Sequence, residues 1–364
     1  MNLKLDEDDY DPNNCSINVT NNQTVNFDKF AVNSDGIRTN DGQLVIDGVH
    51  QDDLRPDRII GQGACSTVQL MRHVRDGTLY AVKRFNFYDR EKRKQLMQEI
   101  NTLHQMDCQA LIEFHGAYTK SSHIYVVLEY MDRGSLTDVI QDYDRLDERY
   151  MAAVTYQILW GLGYLHYERR LHRDIKPSNI LVNQEGKVKL TDFGIAREVD
   201  EDSKMATTMI GTYKYMSPER LKGDAYDSSG DIWSLGIVLI EMVTQRTPFP
   251  NVDNQLDMAQ ELLEMKNEDL IPTGEGCSSE LCEFIQACLQ RNPADRLSTE
   301  QLFKLPWLDE HGIDDLDKAI SVYSEWMDNN PPLDGNSNSF GGAKMVSTME
   351  SEFPDSDEED DYKK

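Results

Sequence analysis

Leu171-His172-Arg173-Asp174-Ile175-Lys176-Pro177-Ser178-Asn179, followed at residue 192 by Asp192-Phe193-Gly194, is the stretch that decides the fold. About eight positions of fixed type in fixed order are more than chance supplies. Upstream, Leu54 to Arg72 carries Gly61 and Gly63 between apolar residues, then alternates through Val68 and Leu70 as a strand does. Tyr80-Ala81-Val82-Lys83 ends the next strand pattern on a lysine. Arg90 to Met106 has helical periodicity through Leu96, Ile100 and Leu103, and Glu99 lies beside that stripe. Downstream, Asp231-Ile232-Trp233-Ser234-Leu235-Gly236 opens a strongly apolar helix, where Asp231 reads as a helix cap.

The 364 residues carry 37 Lys plus Arg against 65 Asp plus Glu, a net charge of −28. That balance excludes general affinity for nucleic-acid backbone or anionic lipid. No run of about 18 apolar residues predicts a membrane span, so no integral membrane association is expected. The six cysteines have no C-x-x-C spacing, which suits reduced thiols and a cytoplasmic location. The acidic excess sits at the ends, which divides the chain into four parts. Residues 1–53 read as an acidic, largely disordered extension and 54–307 as one globular domain of a length at which a split into two lobes is expected. Residues 308–333 read as a short helical extension, with Ile313, Leu316, Ile320, Tyr323 and Trp326 at helical spacing. Residues 334–364 read as a disordered acidic tail.

These motifs resemble those of protein kinases. H-R-D-x-K-x-x-N with D-F-G matches the catalytic loop and metal aspartate, and Gly61-x-Gly63 matches the phosphate-covering loop, with Ser66 in place of its third glycine. The resemblance implies an α+β bilobal fold with a small β-rich N-lobe at 54–131 and a large helical C-lobe at 132–307. It implies ATP and Mg²⁺ as cofactors, with Asp174 accepting the substrate hydroxyl proton and Lys176 neutralising the γ-phosphate. Asn179 and Asp192 would hold the metal, and Lys83, braced by Glu99, would reach the α and β phosphates. Ile60, Gly61, Gly63, Val68, Ala81 and Leu181 would enclose the nucleotide. Leu128 would be the gatekeeper, and Glu129 and Met131 would offer backbone to adenine. Glu219, in Ser217-Pro218-Glu219, would pair with a buried Arg296, and Asp231, besides its reading as a cap, resembles the residue that hydrogen-bonds the catalytic-loop backbone.

HRDIKPSNILVN, TDFGIA, IGTYKYMSPERL and SGDIWSLGIVLIEM are similar to the MAP kinase kinase family in particular. That likeness implies phosphorylation of Thr and Tyr in a downstream MAP kinase by a monomer that an upstream MAP kinase kinase kinase switches on. Ser203, Thr207 and Thr208 are the candidate phosphorylation sites. A sterile-type Ser/Thr protein kinase acting further upstream shares much of the same large-lobe wording and is the alternative.

Overall fold

The computed structural model describes residues 17–19, 24–27, 30–39, 48–62, 66–86, 96–97, 100, 103–192, 212–224, 226–252, 254–272 and 277–331. Four short strands, β1 (Ile17–Val19), β2 (Val25–Phe27), β3 (Phe30–Asn33) and β4 (Gly36–Thr39), form an antiparallel meander in sequence order. A five-stranded antiparallel sheet follows: β5 (Leu54–Gln62), β6 (Ser66–His73), β7 (Leu79–Asn86), β8 (Phe114–Lys120) and β9 (His123–Glu129), in the order β5-β6-β7-β9-β8. Alternation decides which face each residue serves. Val82 and Val127 are buried with Leu54 and Tyr118 in a cluster on one face, while Ala81 and Lys83, each one residue away, belong to the other. On the main core side, Leu96, Met97, Ile100 and Leu103 are buried and helical, the stripe that the periodicity predicts.

The large lobe is helical. Its main helices are α1 (Leu136–Asp142), α2 (Glu148–Tyr167), α3 (Ser228–Thr244), α4 (Gln255–Glu264), α5 (Ser279–Cys288) and α6 (Leu316–Asn329). A hairpin of β10 (Ile180–Val182) and β11 (Val188–Leu190) lies between α2 and α3 in the chain. Residues Met151–Leu159 of α2 and Gly230–Ile240 of α3 are buried without interruption, so both helices run through the core rather than over it. Ser135 and Asp138 close a capping box at the start of α1, and the Asp315 carboxylate caps α6 by accepting from Lys318 N at 2.6 Å.

The extension carries four short strands between residues 17 and 39, within the stretch read as largely disordered. Its Asn and Asp content concealed the alternation of Val25, Phe30, Val32 and Ile37, all buried. Asn33-Ser34-Asp35-Gly36 supplies the hairpin turn, with Gly36 at φ +121°. A sheet of such short strands needs a surface to cover. β3 and β4 lie against β8, and beside them Val49 donates its N–H to the His115 carbonyl at 3.1 Å.

The C-terminal helix packs as a strap. Ala319, Val322, Tyr323, Trp326 and Met327 of α6 are buried along α2, and Trp326 meets the Tyr143 ring edge-on at 5.1 Å. The fit is closest at Gly186, in the β10–β11 turn, where an added Cβ would strike the backbone of Ser324 and Ile320. Gly186 has φ +80° and Gly223, in open space, has φ +76°, so the two positions separate backbone strain from packing. Gly223→Ala should cost about 1–2 kcal/mol, the left-handed penalty alone. Gly186→Ala should cost about 3 kcal/mol or more, because α6 must also shift; urea unfolding of the two variants measures the difference.

Candidate active site

Strand register brings the upper half of the site together. Gly61 lies across from Val68, Val68 from Lys83, and Lys83 from Val126, so they form one row across the sheet. The next row joins Leu70, Ala81 and Leu128. Directly opposite residues share a face, which puts Val68, Ala81, Lys83 and the gatekeeper position Leu128 on one wall. Ile60 and Met131 are buried, and Leu181 is half-buried on β10 opposite Lys189. Gly63, Glu99, Ser203, Thr207 and Thr208 lie outside the described residues.

The loop Leu171–Asn179 is held from beneath by one carboxylate. Asp231, fully buried, accepts the backbone N–H of His172 at 2.9 Å and of Arg173 at 2.8 Å, His166 Nε2 at 3.0 Å and the Tyr226 hydroxyl at 2.6 Å. Burial alone would raise its pKa. The bonds from His166 and the other donors outweigh that effect and hold it below the ordinary value. This resolves the two readings of Asp231: the cap of α3 is Asp227, which accepts from Ser229 N, and Asp231 serves the loop. The pinned backbone includes Arg173 at φ +65°, and Asp192 stands at φ +59°. Both conformations are uncommon for residues with a Cβ and persist where the surroundings enforce them.

The side chains of Asp174, Lys176 and Asn179 meet on this loop, and Lys83 meets Asp192. Asp174 Oδ2 accepts from Lys176 Nζ at 2.8 Å and from Asn179 Nδ2 at 2.9 Å, and Asn179 Nδ2 also donates to the Asp174 carbonyl at 2.8 Å. Asp174 Oδ1 is buried with no hydrogen-bond partner among the described residues. Lys83 Nζ lies 2.6 Å from Asp192 Oδ1, joining residues 109 positions apart. Burial pushes the Asp192 carboxyl up, but the Lys83 charge and hydrogen bond, helped by Lys176, bring it below the ordinary value, so it is a carboxylate. Burial also lowers His172, which therefore stays neutral beneath the loop.

These atoms suit Mg²⁺. The Asn179 amide spends its NH₂ on Asp174 and keeps its carbonyl oxygen, and Asp192 is ionised: two hard donors that leave further positions to water and phosphate. Among the described residues no three His, Cys, Asp or Glu cluster as a metal cage.

Two contacts frame the site. Glu219 and Arg296 form a bidentate pair, both bonds 2.7 Å, with Arg296 also 5.1 Å from the Trp233 ring. At the lobe junction Lys189 Nζ bonds Glu129 Oε2 at 2.6 Å, a pair that the sequence reading missed. Its signal was a lysine between Val188 and Leu190 in an apolar strand.

A protein-family model described as the protein kinase domain matches residues 54–308. A tobacco protein named mitogen-activated protein kinase kinase SIPKK is 36% identical over 352 residues, covering 91% of this chain and 96% of the relative. The chain belongs to the MAP kinase kinase family of protein kinases. Mitogen-activated protein kinase kinase 3 of Arabidopsis thaliana is 39% identical over 269 residues, and there the match spans 51% of the relative's length. Dual specificity mitogen-activated protein kinase kinase dSOR1 of Drosophila melanogaster is 32% identical over 283 residues, 71% of each chain. The bilobal architecture and the convergence of Lys83, Asp174, Asn179 and Asp192 thus belong to a phosphotransferase of the MAP kinase cascade.

Burial would raise the Glu219 carboxyl, but the Arg296 hydrogen bonds dominate and lower it beneath 4.5. Its contribution to stability is therefore complete above about pH 4.5 and is lost as pH falls through the lowered value. Glu219→Gln should cost on the order of 3 kcal/mol at neutral pH, because a buried guanidinium loses its counter-charge. It should also flatten the acid limb of stability against pH, which urea unfolding at pH 3 to 7 measures.

Proposed function

We propose that this chain is a dual-specificity MAP kinase kinase, transferring the γ-phosphoryl group of ATP to Thr and Tyr in the activation segment of a downstream MAP kinase. The observation that carries the substrate class is the near end-to-end match to the tobacco relative, whose name is that of a MAP kinase kinase. The match to a Drosophila relative named dual specificity supports both acceptors.

In this reading the substrate hydroxyl gives its proton to Asp174 Oδ1, the atom with no partner among the described residues. Lys176, hydrogen-bonded to the other oxygen, presents its charge to the transferring group. Lys83, now on Asp192, would hold the α and β phosphates with Glu99 as its brace, and Asn179 and Asp192 would hold Mg²⁺. When bound, the metal neutralises phosphate charge. Ile60, Gly61, Gly63, Val68, Ala81 and Leu181 enclose the nucleotide, Leu128 limits its depth, and the backbone of Glu129 and Met131 meets the adenine. The rate comes from in-line positioning and charge stabilisation, since phosphoryl transfer asks little covalent chemistry of the protein.

Switching by an upstream kinase would act at Ser203, Thr207 or Thr208, with Arg173 as the receiving cation. A monomer in the cytoplasm completes the proposal; no helix among the described residues is long and apolar enough to cross a membrane. A second reading has one observation behind it. Serine/threonine-protein kinase dst1 of Dictyostelium discoideum is 32% identical over 282 residues, covering 77% of this chain and 37% of the relative.

A kinase-dead MAP kinase as substrate, with phosphotyrosine and phosphothreonine read separately, decides between them. Label on both supports the MAP kinase kinase reading, and label on Ser or Thr alone supports the other. Lys83→Met should abolish transfer, and Asp174→Asn should reduce turnover by about 10²–10⁴-fold, with the unfolding midpoint of each unchanged. Phosphatase treatment should remove most activity, and remapping residues 198–212 after reactivation should place phosphate on the restoring hydroxyl.

A further inference from the structure

Cys277 and Cys282 bring their sulfur atoms to 2.8 Å. Both are free thiols and both are half-buried, so solvent reaches the pair. Ordinary nonbonded contact is about 3.5–4.0 Å between carbon atoms, so this approach is closer than casual packing provides. Cys277 precedes Ser278, the cap of α5, and Cys282 lies in the first turn of that helix. The backbone between the sulfurs is fixed. Ser278 Oγ accepts from Leu281 N at 3.1 Å, and Cys282 N donates to the Ser278 carbonyl at 3.0 Å. Ser278 is in turn tied to the start of α2, with its N–H and hydroxyl each donating to the Glu148 carboxylate at 2.6 Å. Glu148 also accepts from Trp307 Nε1 at 3.1 Å, which seats the turn on the lobe.

We propose that Cys277 and Cys282 form a redox-convertible dithiol that hydrogen peroxide closes to a disulfide, a modification site apart from the phosphoryl-transfer cleft. A disulfide requires a sulfur separation of about 2.05 Å, so closure is a movement of less than about 1 Å along a line already occupied by a thiol–thiol contact. One cysteine, as thiolate, attacks a peroxide oxygen. The S–O bond forms, the O–O bond breaks, and the departing oxygen leaves as water once protonated. The second sulfur then attacks the sulfenic sulfur; the S–S bond forms, the S–O bond breaks, and the released oxygen takes the second thiol's proton and leaves as water. Two thiols are oxidised by two electrons and one peroxide is reduced to two waters. Cys288, on the same helix, is fully buried where peroxide does not reach, whereas Cys277 and Cys282 are half-buried, so Cys288 is an internal control.

Trypsin yields one peptide, 267–291, that holds Cys277, Cys282 and Cys288. In the full chain treated with peroxide, then unfolded and alkylated with iodoacetamide, that peptide should take one alkyl group in place of three. Further cleavage after Glu280 should leave its pieces joined until reduction. Cys277→Ser and Cys282→Ser should each abolish the joined pieces, and Cys108→Ser should leave them. Three alkyl groups after peroxide, or a bond from either sulfur to another cysteine, overturns the proposal. A second measurement needs no variant: phenylarsine oxide, which bridges adjacent thiols, should protect Cys277 and Cys282 of the reduced chain from alkylation, and absence of that protection also overturns it.

Discussion

The buried carboxylate of Asp231 is the constraint on which the catalytic machinery depends. It is a charge with no access to water, tolerable only because four donors converge on it. Two of those donors are backbone N–H groups of the loop that carries Asp174. The energetic requirement of the anion and the geometric requirement of the loop are therefore met by the same bonds. Arg173 is held at positive φ as part of this arrangement, and its carbonyl accepts from Arg220 on the segment after Ser217-Pro218-Glu219. Position in the loop, position in α3 and position in the short helix Pro218–Leu221 are therefore tied together.

A second set of charges runs between the lobes. Lys83 reaches Asp192, and Lys189 reaches Glu129. Each joins the five-stranded sheet to the large-lobe hairpin or the segment that follows it. Half-buried ion pairs of this kind constrain geometry more than they stabilise it. Lys83 is bound to a carboxylate of the loop-side segment and Lys189 to one of the sheet, so the two bridges cross the junction in opposite senses.

Much of this was legible in the sequence, because phosphoryl transfer requires particular side chains at particular spacings. Asp174, Lys176, Asn179 and Asp192 stand out by type, and the Glu219–Arg296 pair follows from the same pattern. The buried stripe Leu96, Ile100 and Leu103 was visible as periodicity. What escaped were features that depend on a distant surface. The strands at residues 17–39 look polar in isolation and form beside β8, on which β3 and β4 lie. Lys189 reads as a solvated residue until Glu129 lies beside it, and the approach of Cys277 to Cys282 depends on the turn that Ser278 and Glu148 fix. Asp231 was read two ways because a carboxylate at a helix start can cap it, and Asp227 had taken that task.

The strap formed by α6 bears on where this molecule begins and ends as a unit. The kinase-domain match stops at residue 308, yet Trp326, Tyr323 and Met327 are as buried as any core residue, and the turn at Gly186 is shaped to the backbone that covers it. That turn joins β10, which carries Leu181 and directly follows Asn179, to β11, which leads to Asp192. A chain cut at the family boundary would leave a greasy furrow along α2 and a slack hairpin between Asn179 and Asp192. The inherited module and the cooperative one differ in length by some twenty residues, with their seam beside the catalytic loop.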